Sequence, residues 1–136
     1  MLCGLLCLGL WLPNATFASS IPDEFRIKRE AVFEFVRKPT VTREGDTVTV
    51  MFESRGLCDA TVAIEDARGR IIRHLACGAL GPNAPAPFKK SSRTQILVWD
   101  GKDDRGRYID NKDSCVVRVS LGLKPHRNRF GPEVTC

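Results

Sequence analysis

Three carboxylates stand close together in residues 100–106, directly after Trp99. Carboxylates at alternate loop positions are the ligands that Ca²⁺ prefers. Asp100 and Asp104 match the first and fifth positions of an EF-hand loop. However, a lysine occupies the third position, and an arginine occupies the sixth, where glycine is required. We therefore favour a tight structural turn and keep Asp100, Asp103 and Asp104 as the alternative, a weak Ca²⁺ candidate.

Catalytic patterns are missing from the sequence. It contains no G-x-S-x-G, H-E-x-x-H or P-loop motif. The paired carboxylates Glu65-Asp66 and Asp103-Asp104 fall in or beside turn signals, where solvated carboxylates are common. Glycosidase chemistry needs two carboxyl groups facing each other across a cleft, and nothing singles out such a pair. We therefore predict no catalytic residue and no cofactor, so the chain is not expected to be an enzyme.

The N-terminal segment resembles a secretion signal. Residues 1–12 are apolar and no charged residue precedes Asp23, although the usual basic start is absent. The run is too short for a membrane span but has the length of a signal-peptide core. We predict a signal peptide over residues 1–18, a secreted, periplasmic or cell-surface location, and no transmembrane segment after its removal. A buried N-terminal strand or helix is the alternative.

Cysteines and histidines offer little metal or redox chemistry. Two of the six cysteines lie in the predicted signal peptide. The other four are Cys58, Cys77, Cys115 and Cys136. They allow three full pairings, and the sequence does not choose among them. No C-x-x-C spacing occurs and the histidines are only two, so we expect small buried thiols or one disulfide rather than a metal site.

The rest of the chain is typical of strands joined by turns. Thr47–Phe52 alternates valine and phenylalanine with threonine, the period of a half-buried strand. No window shows a helical period, and we recognise no internal repeat. The sequence therefore predicts an all-β fold: an antiparallel Ig-like or fibronectin-like β-sandwich of about seven strands. Strands are expected at residues 31–36, 47–52, 60–66, 71–75, 94–99 and 115–121.

Residues 98–106 resemble the W-D-G-x-D-x-x-G signature of the FlgD-type Ig-like domain, which recurs in large secreted bacterial proteins. The hairpin at residues 62–73 is similar to the same family, and the likeness covers about residues 40–123. After Gly106 the chain departs from the family pattern. The resemblance implies a structural motif at Trp99, Asp100, Gly101, Asp103 and Gly106. Trp99 is expected to close one end of the core.

The resemblance also suggests a division of the chain. We predict a signal peptide over 1–18, an N-terminal arm over 19–39, an Ig-like domain over 40–123, and a C-terminal tail or linker over 124–136. Residues 121–125 are interpreted as a strand that runs into a linker, and residues 128–136 show no strand pattern. We therefore expect the chain to be a piece, or a small relative, of a larger secreted protein.

Composition limits the range of partners. The 136 residues suit one domain, 43% are hydrophobic, and the formal net charge is +5. The basic residues are not interleaved with aromatics, so we predict no nucleic-acid partner. We expect an exported, non-catalytic structural or interaction module that contacts neighbouring domains or envelope proteins, with polysaccharide a further candidate partner. The competing hypothesis is a carbohydrate-binding module accessory to a polysaccharide-active enzyme. It requires a row of exposed aromatics, and the candidates are Phe25, Phe88, Tyr108 and Phe130.

Overall fold

The computed structural model describes residues 30–130, which form seven β-strands in two antiparallel sheets. The all-β prediction is therefore confirmed. In this part of the chain no helix is long and apolar enough to cross a membrane. The predicted signal peptide lies outside the described residues. The strands are β1 (Phe35–Glu44), β2 (Thr47–Ser54), β3 (Asp59–Glu65), β4 (Ile71–Ala79), β5 (Thr94–Trp99), β6 (Val116–Leu121) and β7 (Lys124–Arg129).

The two sheets pack face to face as a sandwich. The three-stranded sheet has the order β1-β2-β5, and the four-stranded sheet has the order β4-β3-β6-β7. The chain crosses between the sheets after β2, β4 and β5. As a result, β1 and β5 are the edges of one sheet, and β4 and β7 are the edges of the other.

Alternation along the strands builds the core. Val48, Val50 and Phe52 of β2 are fully buried, and Val62 and Ile64 of β3 face them from the other sheet. Burying an aliphatic or aromatic side chain of this size stabilises the fold by about 1.5–3 kcal/mol. The residues between them, such as Thr49 of β2 and Thr61 of β3, lie on the outer faces of the two sheets.

Strand β1 differs from its prediction. A strand over residues 31–36 that ends at Lys38-Pro39 was expected, but β1 runs from Phe35 to Glu44 through the proline. Irregularities in the pairing with β2 fall between Phe35 and Thr40, and β1 is an edge strand. An edge strand tolerates a proline because the position of the missing N–H can face solvent instead of a neighbouring strand. The sheet therefore begins inside the predicted N-terminal arm.

Strand β7 was missed by the sequence analysis. Lys124–Arg129, assigned to a tail or linker, pairs with β6 along its whole length. The segment has no apolar residue to signal a strand. Its inward positions are instead polar: the ring of His126 lies 5.9 Å from that of Phe35, and the Asn128 amide donates to the Pro39 carbonyl. The sandwich thus extends beyond the predicted domain on both sides, and residues 131–136 lie outside the described chain.

A long connection between β4 and β5 is held by Gln95. This side chain is fully buried. Its carbonyl oxygen accepts the Lys89 N–H at 2.7 Å, and its amide donates to the carbonyls of Lys89 and Ser92 at 3.0 and 2.8 Å. One glutamine therefore supplies polar partners to a loop rich in proline and glycine, which cannot form its own regular ladder.

Candidate functional site

Trp99 anchors the W-D-G segment. Its side chain is fully buried, and its ring stacks on that of Phe130 with centroids 5.7 Å apart. The indole N–H donates to the Lys102 carbonyl at 2.7 Å, and the Lys102 N–H donates to Asp100 Oδ1 at 3.2 Å. Trp99 therefore both fills the end of the core and closes the turn that follows it.

Lys112 packs against this turn, although it was not among the residues singled out from the sequence. Its side chain is 8% exposed and lies against Gly101, where any Cβ would clash with it. The ammonium group donates to Asp46 Oδ1 at 2.7 Å. That hydrogen bond and the charge of Lys112 hold the pKa of Asp46 below its usual range. We interpret this buried lysine, which is paired with one carboxylate, as a structural support of the loop.

Asp103 closes the second half of the loop. Its Oδ1 accepts the backbone N–H groups of Arg105 and Arg107 at 2.9 and 2.8 Å, and its Oδ2 accepts Arg107 Nε at 3.2 Å. These bonds, led by the backbone N–H of Arg107, hold the pKa of Asp103 below its usual range. The carboxylate is therefore occupied by its own turn.

The β3–β4 hairpin repeats this arrangement. Asp66 Oδ1 accepts the N–H groups of Arg68 and Arg70 at 2.9 and 3.0 Å, and Oδ2 accepts Arg70 Nε at 2.9 Å. Gly69 and Gly106 occupy equivalent positions with φ of 76° and 78°, which favour glycine. Both turns have the sequence Asp-x-Arg-Gly-Arg, at residues 66–70 and 103–107. The expectation of no internal repeat therefore overlooked this pentapeptide.

Asp104 joins the two turns along the edge of β4. Its backbone N–H donates to the Ile72 carbonyl at 3.0 Å. Its side chain accepts the His74 N–H at 2.9 Å and contacts His74 Nδ1 at 2.6 Å. Hydrogen bonds from His74, the backbone one first, hold the pKa of Asp104 below its usual range. The W-D-G loop thus covers part of an edge strand that would otherwise be open.

These contacts bear on the Ca²⁺ alternative. Asp100, Asp103 and Asp104 each point to a different protein partner rather than to a common centre. Within residues 30–130, no three His, Cys, Asp or Glu side chains are grouped so that they could hold a metal ion. The loop is therefore arranged as a set of turns closed by hydrogen bonds.

Glu65 forms a second polar centre, on the outer face of the four-stranded sheet. Its side chain is 3% exposed, and it accepts Arg118 Nη1 and Arg127 Nε at 3.0 and 2.9 Å. Burial alone would raise the pKa of Glu65, but hydrogen bonds from Arg127 and Arg118 outweigh burial and lower it. The sequence analysis took Glu65 for a solvated turn carboxylate, because its two arginine partners lie on strands far along the chain.

Three of the four candidate disulfide cysteines are described, and all three are free thiols. Cys58 and Cys115 are buried, and burial raises the pKa of both thiols. Cys77 lies exposed on β4, where its sulfur accepts the Thr61 hydroxyl at 3.5 Å. Cys136 lies outside the described residues. No disulfide therefore links Cys58, Cys77 and Cys115 to one another.

Exposed apolar side chains occur at several places on the described surface, among them β5. On β5, Ile96 and Val98 are 55% and 60% exposed. Among the aromatic candidates, Tyr108 is exposed, whereas Phe88 is buried and Phe130 packs on Trp99; Phe25 lies outside the described residues. The described candidates therefore do not form an exposed row.

A shallow groove opens at the opposite end of the sandwich from the W-D-G loop. Its volume is about 550 Å³, and Leu123 on its rim is fully exposed. Its lining residues are Phe33, Asp59, Gly122, Leu123 and Lys124. This groove shares no residue with the W-D-G loop.

Comparison of the chain with protein-family models, with curated proteins and with solved structures finds no match.

Proposed function

We propose that the chain is an exported, non-catalytic structural and interaction module with an Ig-like or fibronectin-like topology. The strand order, β1-β2-β5 against β4-β3-β6-β7, supports this topology. Sandwiches of this class pack two antiparallel sheets over alternating inward residues and connect them by crossings between sheets. As in the FlgD-type domains that the W-D-G segment resembles, the module would hold neighbouring domains or envelope proteins in place.

The W-D-G loop supports the structural part of this proposal. Asp103 and Asp104 already accept hydrogen bonds from the backbone and from side chains of the protein. Trp99 is buried and bonded to Lys102. Groups used in this way stabilise a connection and are not available to bind or transform a substrate.

The free edge of β5 carries the interaction part. Within residues 30–130 no strand pairs with this edge. The Ser54 N–H donates to the Arg93 carbonyl, so in the antiparallel ladder the backbone groups of Ile96 and Val98 point away from β2. Both side chains are more than half exposed. An apolar edge strand without a neighbour, as β5 is among the described strands, is a template for adding another strand.

A second copy of the chain fits this edge. An antiparallel pair with Leu97 on the two-fold axis would place Ile96 opposite the partner's Val98. The outward N–H and C=O groups of these two residues would then all be paired across the axis. Arg93 would lie beside the end of the partner strand, where Asp100 offers a carboxylate that is 56% exposed. In this one register, the apolar side chains, the backbone hydrogen-bonding groups and the opposite charges of the two copies therefore all face each other.

Sedimentation equilibrium of the purified chain over a range of concentrations tests this proposal. We expect a weak dimer, with Kd on the order of 10–100 µM, because one added strand is a small interface. Ile96→Lys with Val98→Lys should leave a folded monomer. Val36→Lys is the matched control, because Val36 is 58% exposed but lies on β1, at the other edge of the same sheet. A wild-type chain that stays monomeric, or a control that dissociates equally, would overturn the proposed pairing.

The competing carbohydrate-binding hypothesis rests on Tyr108. Its ring is 63% exposed, and Lys102 Nζ lies 4.9 Å from the ring centroid. A platform of this kind could stack on a sugar. An array of neutral glycans separates the two hypotheses: binding that is lost in Tyr108→Ala would favour the carbohydrate module, and absence of binding would remove it.

A further inference from the structure

Arginines concentrate around one end of the four-stranded sheet, a surface that we call the arginine face. In the four-stranded sheet, Arg118 and Arg127 are directly opposite each other on β6 and β7, and Arg129 is opposite Val116 in the next row. Residues directly opposite in a ladder project from the same side of the sheet. The full set comprises Arg68, Arg70, Arg105, Arg107, Arg118, Arg127 and Arg129.

The two Asp-x-Arg-Gly-Arg turns bring the remaining arginines to this surface. Turn 66–70 links β3 to β4 and directly follows Glu65, which is opposite Val116 in the ladder between β3 and β6. Turn 103–107 lies along β4, since Asp104 binds Ile72 and His74. Four adjacent strands span about 14 Å at the usual strand spacing, so the arginine face is a band rather than scattered charge.

The charge of this band is not balanced locally. Its seven arginines form ion pairs with three carboxylates, Glu65, Asp66 and Asp103, which leaves a formal +4, while Asp104 pairs with Arg73 and His74. Arg70 and Arg107 remain 69% and 68% exposed even though each is paired with an aspartate. The side chains of Arg68, Arg105 and Arg129 form no ion pair within residues 30–130.

The cations that define the arginine face are arginines, whereas the nearby Lys102 ammonium lies over the Tyr108 ring. The planar guanidinium binds carboxylate and sulfate groups through two parallel hydrogen bonds. Single-stranded nucleic-acid binding uses several aromatic side chains interleaved with the charge, whereas beside these arginines Tyr108, directly after Arg107, supplies a single exposed ring. A turn of the Asp-x-Arg-Gly-Arg type also fixes the backbone beneath its arginines, which lowers the entropy lost when they bind.

We infer that the arginine face binds a linear acidic polysaccharide through its carboxylate or sulfate groups. This binding goes beyond the proposed assembly role, and the choice of a polysaccharide rests on the proposed export. The site differs from an aromatic carbohydrate-binding platform because charge, not stacking, recognises the polymer. The interaction should weaken steeply as salt is added.

Titration calorimetry of the purified chain with dextran sulfate, alginate, neutral dextran and duplex DNA tests this inference. We expect binding to dextran sulfate, alginate or both, and none to neutral dextran; the first two polymers distinguish sulfate from carboxylate recognition. The variant Arg68→Ala, Arg105→Ala, Arg129→Ala should weaken binding about tenfold without unfolding the protein, because it leaves no carboxylate unpaired.

The matched control carries Lys38→Ala, Lys89→Ala and Lys90→Ala, which removes the same charge from β1 and the β4–β5 connection and should change affinity less than about twofold. Equal weakening by both triple variants would overturn the inference, as would no binding to either acidic polymer. Tighter binding to DNA than to both polymers would assign the face to nucleic acid instead. The dimer test uses other residues, so either proposal can fail alone.

Discussion

Asp66 and Asp103 make the same hydrogen bonds in two separate turns. In each turn, Oδ1 accepts two backbone N–H groups and Oδ2 accepts the guanidinium of the arginine four residues later. One turn belongs to a hairpin and the other to the W-D-G loop. The shared geometry therefore comes from the local sequence Asp-x-Arg-Gly-Arg and not from similar surroundings.

Replacing either aspartate should test this local origin. We expect Asp66→Ala and Asp103→Ala each to lower Tm by several degrees, because three hydrogen bonds are lost. Asp103→Asn should cost clearly less, since its Oδ1 still accepts both backbone N–H groups. Thermal unfolding followed by circular dichroism measures this order, with Asp110→Ala as an exposed control. An Asn variant as unstable as the Ala variant would contradict this explanation.

Trp99 should contribute to stability through both burial and its hydrogen bond. Trp99→Ala is expected to lower the free energy of unfolding by about 3–5 kcal/mol. Trp99→Phe keeps much of the apolar area but leaves the Lys102 carbonyl without its indole donor, at a cost of about 1–3 kcal/mol. Urea unfolding measures both, and Val36→Ala on the surface should change it by less than about 0.5 kcal/mol. Equal losses in the Ala and Phe variants would show that the hydrogen bond dominates over packing.

Stability should fall in acid. The pKa values of Asp46, Glu65, Asp66, Asp103 and Asp104 are all lowered in the folded protein. Groups of this kind contribute fully above their unfolded pKa of about 4, and the contribution is lost as the pH falls through the folded values. Urea midpoints should therefore be nearly constant from about pH 7 to 5 and decline below about pH 4.

Glu65→Gln provides the matched comparison for the acid response. The variant removes one carboxylate with a lowered pKa, so its stability should decline less steeply below about pH 4 than that of the wild type. At neutral pH it should be less stable, because the ion pairs with Arg118 and Arg127 are lost. An unchanged acid slope would mean that Glu65 titrates alike in the folded and unfolded states.

The cysteines should differ in reactivity. Cys77 is exposed, whereas Cys58 and Cys115 are buried with raised pKa values that reduce their thiolate fractions. Brief alkylation of the native protein should label Cys77 at least roughly tenfold faster than Cys58 and Cys115. Peptide mapping by mass spectrometry resolves the sites, and alkylation in urea should label all three. Fast native labelling of Cys58 would contradict its burial.

Local patterns predicted the strands whose side chains alternate clearly. The strand expected at residues 94–99 coincides with β5, and the one expected at 47–52 lies within β2. Strand β7 could not be predicted this way, because its inward residues are His126 and Asn128 and its pairing with β6 supplies the hydrogen bonds. The run of β1 through Pro39 depended on its position at a sheet edge, which the sequence does not display.

The sequence by itself determined the all-β class, the alternating core and the two Asp-x-Arg-Gly-Arg turns, because each depends on contacts between residues near in the chain. The tertiary structure decided which distant groups meet. It buried Glu65 between Arg118 and Arg127, placed Lys112 against Gly101 and, within residues 30–130, left the outer edge of β5 without a paired strand. The three carboxylates that first suggested a metal site have separate partners in the structure. The partner of Asp104 is His74, which lies on β4. Such long-range pairings follow from strand order, which local residue preferences do not encode.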